Sequence, residues 1–342
     1  MGAPNRALIM DGNGQLTFSD DPLLVGVNAA YQLIEEGDFA SAVKKIDELL
    51  TVNPEYPGLV EGYRTAKFWH NRQKEIARLD RGKQTADFLM TQWEIFRSYS
   101  QEKTLQNSSA YKSAMRYIFF TASENYKLAF QSQESTADNF ELLLNLGLCF
   151  ITLGEYRQTV ETLEYARSSY RSSARLLALL AEAYYHTGEV PKSLLLFREA
   201  FSINPAEIEL GLLKAKPIQE ILVAVAEKKP SAADPREWVP VIGFIEDILF
   251  VKRHLNMQQV EGIRREIYSL EKSFQTLSRE RVENSNIVPR LLNKYLWMLD
   301  YFEFQQYNFE SLSEIRTRLI QIDRGLFEDF FKKNRNDLKK PR

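Results

Sequence analysis

A fixed period constrains this chain more than any single motif. Gly188 follows Gly154 by 34 residues, and Ala200 follows Ala166 by the same 34. Residues 140–173, FELLLNLGLCFITLGEYRQTVETLEYARSSYRSS, and 174–207, ARLLALLAEAYYHTGEVPKSLLLFREAFSINPAE, align without a gap. Matching positions hold Leu143 and Leu177, Leu146 and Leu180, Gly147 and Ala181, Phe150 and Tyr184, Leu163 and Phe197. A third window, 23–56, fits the frame through Ala30, Leu33, Gly37, Phe39, Ala42, Ile46 and Pro54. Apolar residues at three and four spacing make each half-window an amphipathic helix. Gly37, Gly154 and Gly188 fall where left-handed backbone ends the first helix, and Pro54 and Pro205 stop the second. Each unit is then two antiparallel helices, whose small residues allow close approach while the large ones interlock with a neighbour.

This pattern resembles the tetratricopeptide repeat, with its W-x2-L-G-x2-Y start, glycine turn, A, F, A and closing P. The resemblance implies an all-α fold, a right-handed superhelical solenoid of antiparallel helix pairs with a C-terminal helical extension. The expected organisation is an N-terminal arm (1–22), an array of clear and degenerate repeats (23–230, clear at 23–56, 140–173 and 174–207), C-terminal helices forming degenerate repeats or a cap (231–333), and a basic tail (334–342).

Between the clear units the frame decays. Residues 63–103 contain no proline and keep Leu79, Ala86 and Trp93 at seven spacing, predicting long helices broken near Gly82. Ala122, Tyr126 and Ala129 restore a second-helix pattern. After Pro205 the reading predicts a helix to about Ala215, a break at Pro217, a helix to about Lys228, and a domain edge in KKPSAADPREWVP. Helices are expected over 235–254, 256–283, 287–306 and 309–333.

The 342 residues carry 44 Lys and Arg against 46 Asp and Glu, a formal charge of -2. That balance lacks the positive field with which general nucleic-acid binders displace counterions, so no nucleic-acid partner is expected. Cys149 is the single cysteine, which excludes an intrachain disulfide and a cysteine-based zinc site. On an apolar helix beside Phe150 it reads as a buried thiol. His70, His186 and His254 stand alone, without HExxH or comparable pairing, and no GxSxG, P-loop or GxGxxG is present.

In DGNGQLTFSDDP, Asp11, Asn13, Gln15 and Thr17 match early calcium-loop positions, but Leu16 stands where glycine is needed and Pro22 where glutamate is needed. A turn-rich arm is the expectation. Trp297, Tyr301, Phe302, Phe304, Tyr307 and Phe309 follow a helix face and read as core packing rather than base stacking. No enzyme activity, cofactor or metal is expected. The apolar runs are too short to span a membrane. The N-terminus has no charged start with a long apolar run, which leaves the compartment cytoplasmic by default, or envelope-associated should a signal or anchor precede it.

In the tetratricopeptide family the first helices line a groove that takes peptides or helices of partner proteins. Carried onto this chain, the resemblance implies groove positions Glu141, Leu144, Asn145, Leu148 and Ile151, then Arg175, Ala178, Leu179, Glu182 and Tyr185. Asn145 and Arg175 match two members of the chaperone-binding carboxylate clamp, whereas Ala110, Ala114 and Leu179 replace the others, so the clamp is incomplete. The implied function is a noncatalytic scaffold or adaptor for protein segments. The alternatives are a structural, oligomer-forming subunit of a bacterial or organellar assembly and, third, a helical-repeat RNA reader.

Overall fold

A computed structural model describes residues 8–10, 16–18, 21–132, 139–169, 173–249, 254–276 and 285–333. The regular structure of these residues is helical except for a short antiparallel pair, β1 (Leu8–Met10) and β2 (Leu16–Phe18), with Leu8 opposite Phe18. The pair adds strands to the turn-rich arm expected for 1–22: two short runs flank a Gly- and Asn-rich stretch, which is a hairpin signal. Thr17 of the calcium test lies in β2, while Asp11, Asn13 and Gln15 lie outside the described residues, as does the basic tail 334–342.

Two compact units divide the chain, Met1–Gln158 and Thr159–Arg342. The division does not fall at the expected edge, 230/231. In the first unit follow α1 (Pro22–Glu35), α2 (Phe39–Val52), α3 (Leu59–His70), the single turn α4 (Gln73–Ile76), α5 (Lys83–Glu102), α6 (Ser109–Gln131) and α7 (Asn139–Leu153). Helix α8 (Tyr156–Ser169) runs through the division point.

The repeat turns share one geometry. Gly37, Gly154 and Gly188 have φ of 81°, 79° and 89°. In each case the glycine N–H donates to the carbonyl three residues back, and the next N–H donates to the carbonyl five back, as in Asp38 to Leu33 (2.9 Å), Glu155 to Phe150 (2.8 Å) and Glu189 to Tyr184 (2.9 Å). These bonds satisfy carbonyls that a helix end leaves open. Before both prolines the backbone turns extended, ending α2 at Asn53 and the later helix at Asn204.

In the first unit α6 packs on α1, α3, α5 and α7. Ala122, Tyr126 and Ala129 are buried there, as the restored pattern predicts. The core is aromatic: Trp69 lies 6.3 Å from Phe39, 5.4 Å from Phe96 and 6.4 Å from Trp93, and Trp93 meets Phe119 edge-on at 5.1 Å. Such pairs contribute about 0.5–1.5 kcal/mol each beyond the area they bury. The chain breaks at Gly82, φ 111°, whose N–H donates to the buried Asn125 side chain at 2.9 Å.

The second unit contains α9 (Ala174–His186), α10 (Val190–Ile203), α11 (Lys216–Lys228), α12 (Pro235–Ile245), α13 (Met257–Thr276), α14 (Ile287–Phe304), α15 (Phe309–Ile322) and α16 (Arg324–Lys333). Pro217 sits in the first turn of α11, so it starts a helix rather than merely interrupting one. The expected helix 235–254 stops at Ile245, where Asp247 turns left-handed (φ 59°) and the Ile248 N–H donates to the Gly243 carbonyl five residues back at 3.0 Å. The expected 309–333 is two helices, divided at Asp323, whose carboxylate accepts from the Leu326 N–H.

The C-terminal helices are joined to the α9–α10 pair by contacts that explain the absent edge. Helix α12 packs on α10, α11 and α14. Arg198 on α10 forms a buried ion pair with Asp300 on α14, its guanidinium 4.3 Å from the Trp297 ring centroid. Glu237 on α12, also buried, pairs with Arg290 on α14. A buried charge keeps its place only beside its partner, so these pairs fix how the helices register.

Candidate functional site

Helix α9 carries the clearest set of groove positions. Ser173 caps it, accepting from the Leu176 N–H at 3.1 Å, and the Gly188 turn ends it. Its sequence, ARLLALLAEAYYH, holds a single acid, set within the run LLALLAEAYY. That acid, Glu182, is 1% exposed.

The partner of Glu182 is the chain's own backbone. After Pro205 the expected helix is replaced by two short 3-10 turns, Pro205–Glu207 and Leu210–Leu212, and extended residues. The Lys214 and Ala215 N–H groups donate to the two carboxylate oxygens at 2.6 and 3.1 Å, and His186 Nε2 lies 2.9 Å from Oε1. A carboxylate holding two successive amides offsets the helical bonds this segment forgoes. Arg175 pairs with Glu209 at 3.2 Å, one end of the segment. Between these polar anchors, Ala178 and Leu179 face Ile208, Leu212 and Leu213, leaving a cavity of about 10 Å³. Ile208 and Leu213 are each 1% exposed, which contributes about 1.5–3 kcal/mol per side chain.

Ala178, Leu179 and Glu182 are buried and, with Arg175, engaged by residues 208–215. On α7, Leu144, Leu148 and Ile151 are buried core residues rather than a free surface. Asn145 lies beside the Tyr126 phenol, which donates to Asp87 at 2.8 Å. Burial first, then that bond, pushes the phenol well above the usual tyrosine range. Glu141 remains exposed and Tyr185 half-buried, its ring edge-on to His186 at 5.3 Å. The lone acid inside LLALLAEAYY was the sequence signal for the Glu182 contact.

No protein-family model matches the chain, and no curated protein matches it.

Cys149 and His70 have structural partners. Cys149 is buried 3.9 Å from the Met90 sulfur, and burial raises its thiol pKa far above the usual range, away from the thiolate needed for reactivity. His70 Nδ1 lies 3.0 Å from the Gln73 side-chain oxygen. Among the described residues, no three His, Cys, Asp or Glu side chains are grouped to hold a metal, and no helix is long and apolar enough to cross a membrane. A cleft of about 130 Å³ beside α13 includes Glu271 and Arg318, which face each other at 3.6 Å while Tyr295 also donates to Glu271. Of the C-terminal aromatic series, Trp297 and Tyr301 are buried as expected. Tyr307 and Phe309 are 74% and 70% exposed, because they flank the turn before α15 rather than continuing the buried face of α14.

Proposed function

We propose that this chain is a noncatalytic protein-interaction scaffold or adaptor of the tetratricopeptide-repeat kind, its helix pairs stacked as a right-handed solenoid with a C-terminal helical extension. The observation that carries the reading is the recurrence of one turn at Gly37, Gly154 and Gly188, with the same two hydrogen bonds each time. A repeated unit of this sort gains stability from its neighbours and leaves its outer side chains to recognise partners. Because residues 208–215 engage the α9 positions, partner segments are taken at open positions such as Glu141 and Tyr185 and on the exposed faces of other helices.

A structural subunit of a larger assembly is the second reading, favoured by the exposed tip of Tyr307 and Phe309. Exposed aromatic side chains flanking a turn suit lateral contact between copies or with other subunits. Mass measurement in solution over a concentration series separates the two. A monomer throughout supports the adaptor, and concentration-dependent oligomers support the subunit. Salt-sensitive retention of oligouridylate without protein partners would overturn both.

A further inference from the structure

We infer that the outer face of α13 is a docking surface for an acidic helical segment of a partner protein, a deeper form of the scaffold reading, on which it rests. Helix α13 lies against α14 through Val260 and a stripe of half-buried residues, Ile263, Ile267, Leu270 and Phe274. At 100° per residue Met257, Glu261, Arg265, Tyr268 and Lys272 lie away from that stripe, with Arg264 at its flank and exposed. Met257 is 68% exposed and Tyr268 74%.

The cations of this face differ from those around them. Among the described residues of the second unit, every other arginine is held in an ion pair or over an aromatic ring, as with Arg175, Arg236, Arg290 and Arg316. Arg264, Arg265 and Lys272 form no ion pair among those residues. The nearby acids Glu266 and Glu271 are directed elsewhere, to Lys294 at 2.8 Å and to Tyr295 and Arg318. Only Glu261 belongs to the outer face.

Arg264, Tyr268 and Lys272 follow one ridge at one-turn spacing, with Arg265 beside it. The match is a helix with carboxylates one turn apart and an apolar residue between them to cover Tyr268. Arginine and tyrosine together are the residue types that dominate interface energetics. A phosphate backbone is the poorer fit: the cations span only about 12 Å of helix, and Glu261 stands on the same face.

The test uses the full chain and a fluorescent amphipathic helical peptide with glutamates one turn apart flanking a leucine stripe. Its lysine-for-glutamate counterpart and oligouridylate are run beside it by anisotropy at low and high salt. The acidic peptide is expected to bind and to weaken with salt, and the lysine peptide is expected not to bind. The Arg264→Glu/Arg265→Glu double variant should weaken binding about tenfold or more, and Tyr268→Ala several-fold. Because all three side chains point to solvent, circular dichroism should show the variants folded. Unchanged affinity in the double variant, no binding of the acidic peptide, or tighter binding of oligouridylate overturns the proposal. Loss of this site while in-cell protein crosslinks map to other helices would sink the α13 surface and leave the scaffold reading standing.

Discussion

Replacing Glu182 with alanine removes the acceptor for the Lys214 and Ala215 amides, and the consequence follows from the bonds lost. Each amide left without an acceptor in a desolvated site costs about 1–3 kcal/mol, and bonds to a charged acceptor lie at the upper end. The two amides, at 2.6 and 3.1 Å from the carboxylate, together with the buried side chains they hold against α9, give a loss of about 3–5 kcal/mol. Glu182→Gln keeps one acceptor oxygen and should cost about 1–2 kcal/mol. The assay is urea unfolding combined with native-state hydrogen exchange of the Lys214 and Ala215 amides. In the parent these two amides should exchange slowly; in Glu182→Ala they should become the fastest of the segment. A loss below about 0.5 kcal/mol, or unchanged protection of both amides, would refute the reasoning that this carboxylate closes the segment onto α9.

Three further outcomes follow from the geometry. Gly154→Ala should cost about 1–2 kcal/mol for left-handed backbone alone, since a Cβ there meets nothing within 4 Å. Gly37→Ala should cost at least about 1 kcal/mol more, because its Cβ would lie 2.2 Å from the Tyr117 ring; denaturant unfolding of the two variants gives the ranking, and equal losses would count against it. Arg198→Met should destabilise by about 3–5 kcal/mol by stranding Asp300, and adding Asp300→Leu should recover most of that in thermal melts; a second loss of similar size would contradict it. Burial and the 2.7 Å bond to Glu164 push the Tyr184 phenol up to about 12. The neutral form is thus favoured in the fold, so its contribution is full below the unfolded pKa near 10 and is lost as pH rises toward 12. Ultraviolet titration of Glu164→Gln should show this tyrosine ionising at lower pH than in the parent.

What could be read from the residues was whatever local chemistry decides. Gly37, Gly154 and Gly188 end helices because only glycine enters left-handed backbone cheaply, and Pro54 and Pro205 follow the ends of theirs because proline cannot continue a helix. The burial of Ala122, Tyr126 and Cys149 follows from helical spacing. Contacts between distant residues were not legible. The helix expected up to Ala215 is lost to a carboxylate 33 residues away, and the expected edge near 230 is erased by a buried pair joining Arg198 to Asp300. The same holds on α9: the repeat frame locates Arg175, Ala178, Leu179 and Glu182, but which segment lies against them depends on the path of residues 208–215.

The central claim is that this chain works by holding other proteins rather than by transforming a substrate. Crosslinking of the full chain in its native cell, followed by mass spectrometry of the joined peptides, tests it most directly. The account predicts reproducible protein–protein crosslinks that concentrate on exposed helix faces, α13 among them, and spare residues 208–215. Recovery of crosslinked RNA in place of protein, or of no crosslinked partner under conditions that capture known complexes, would contradict it.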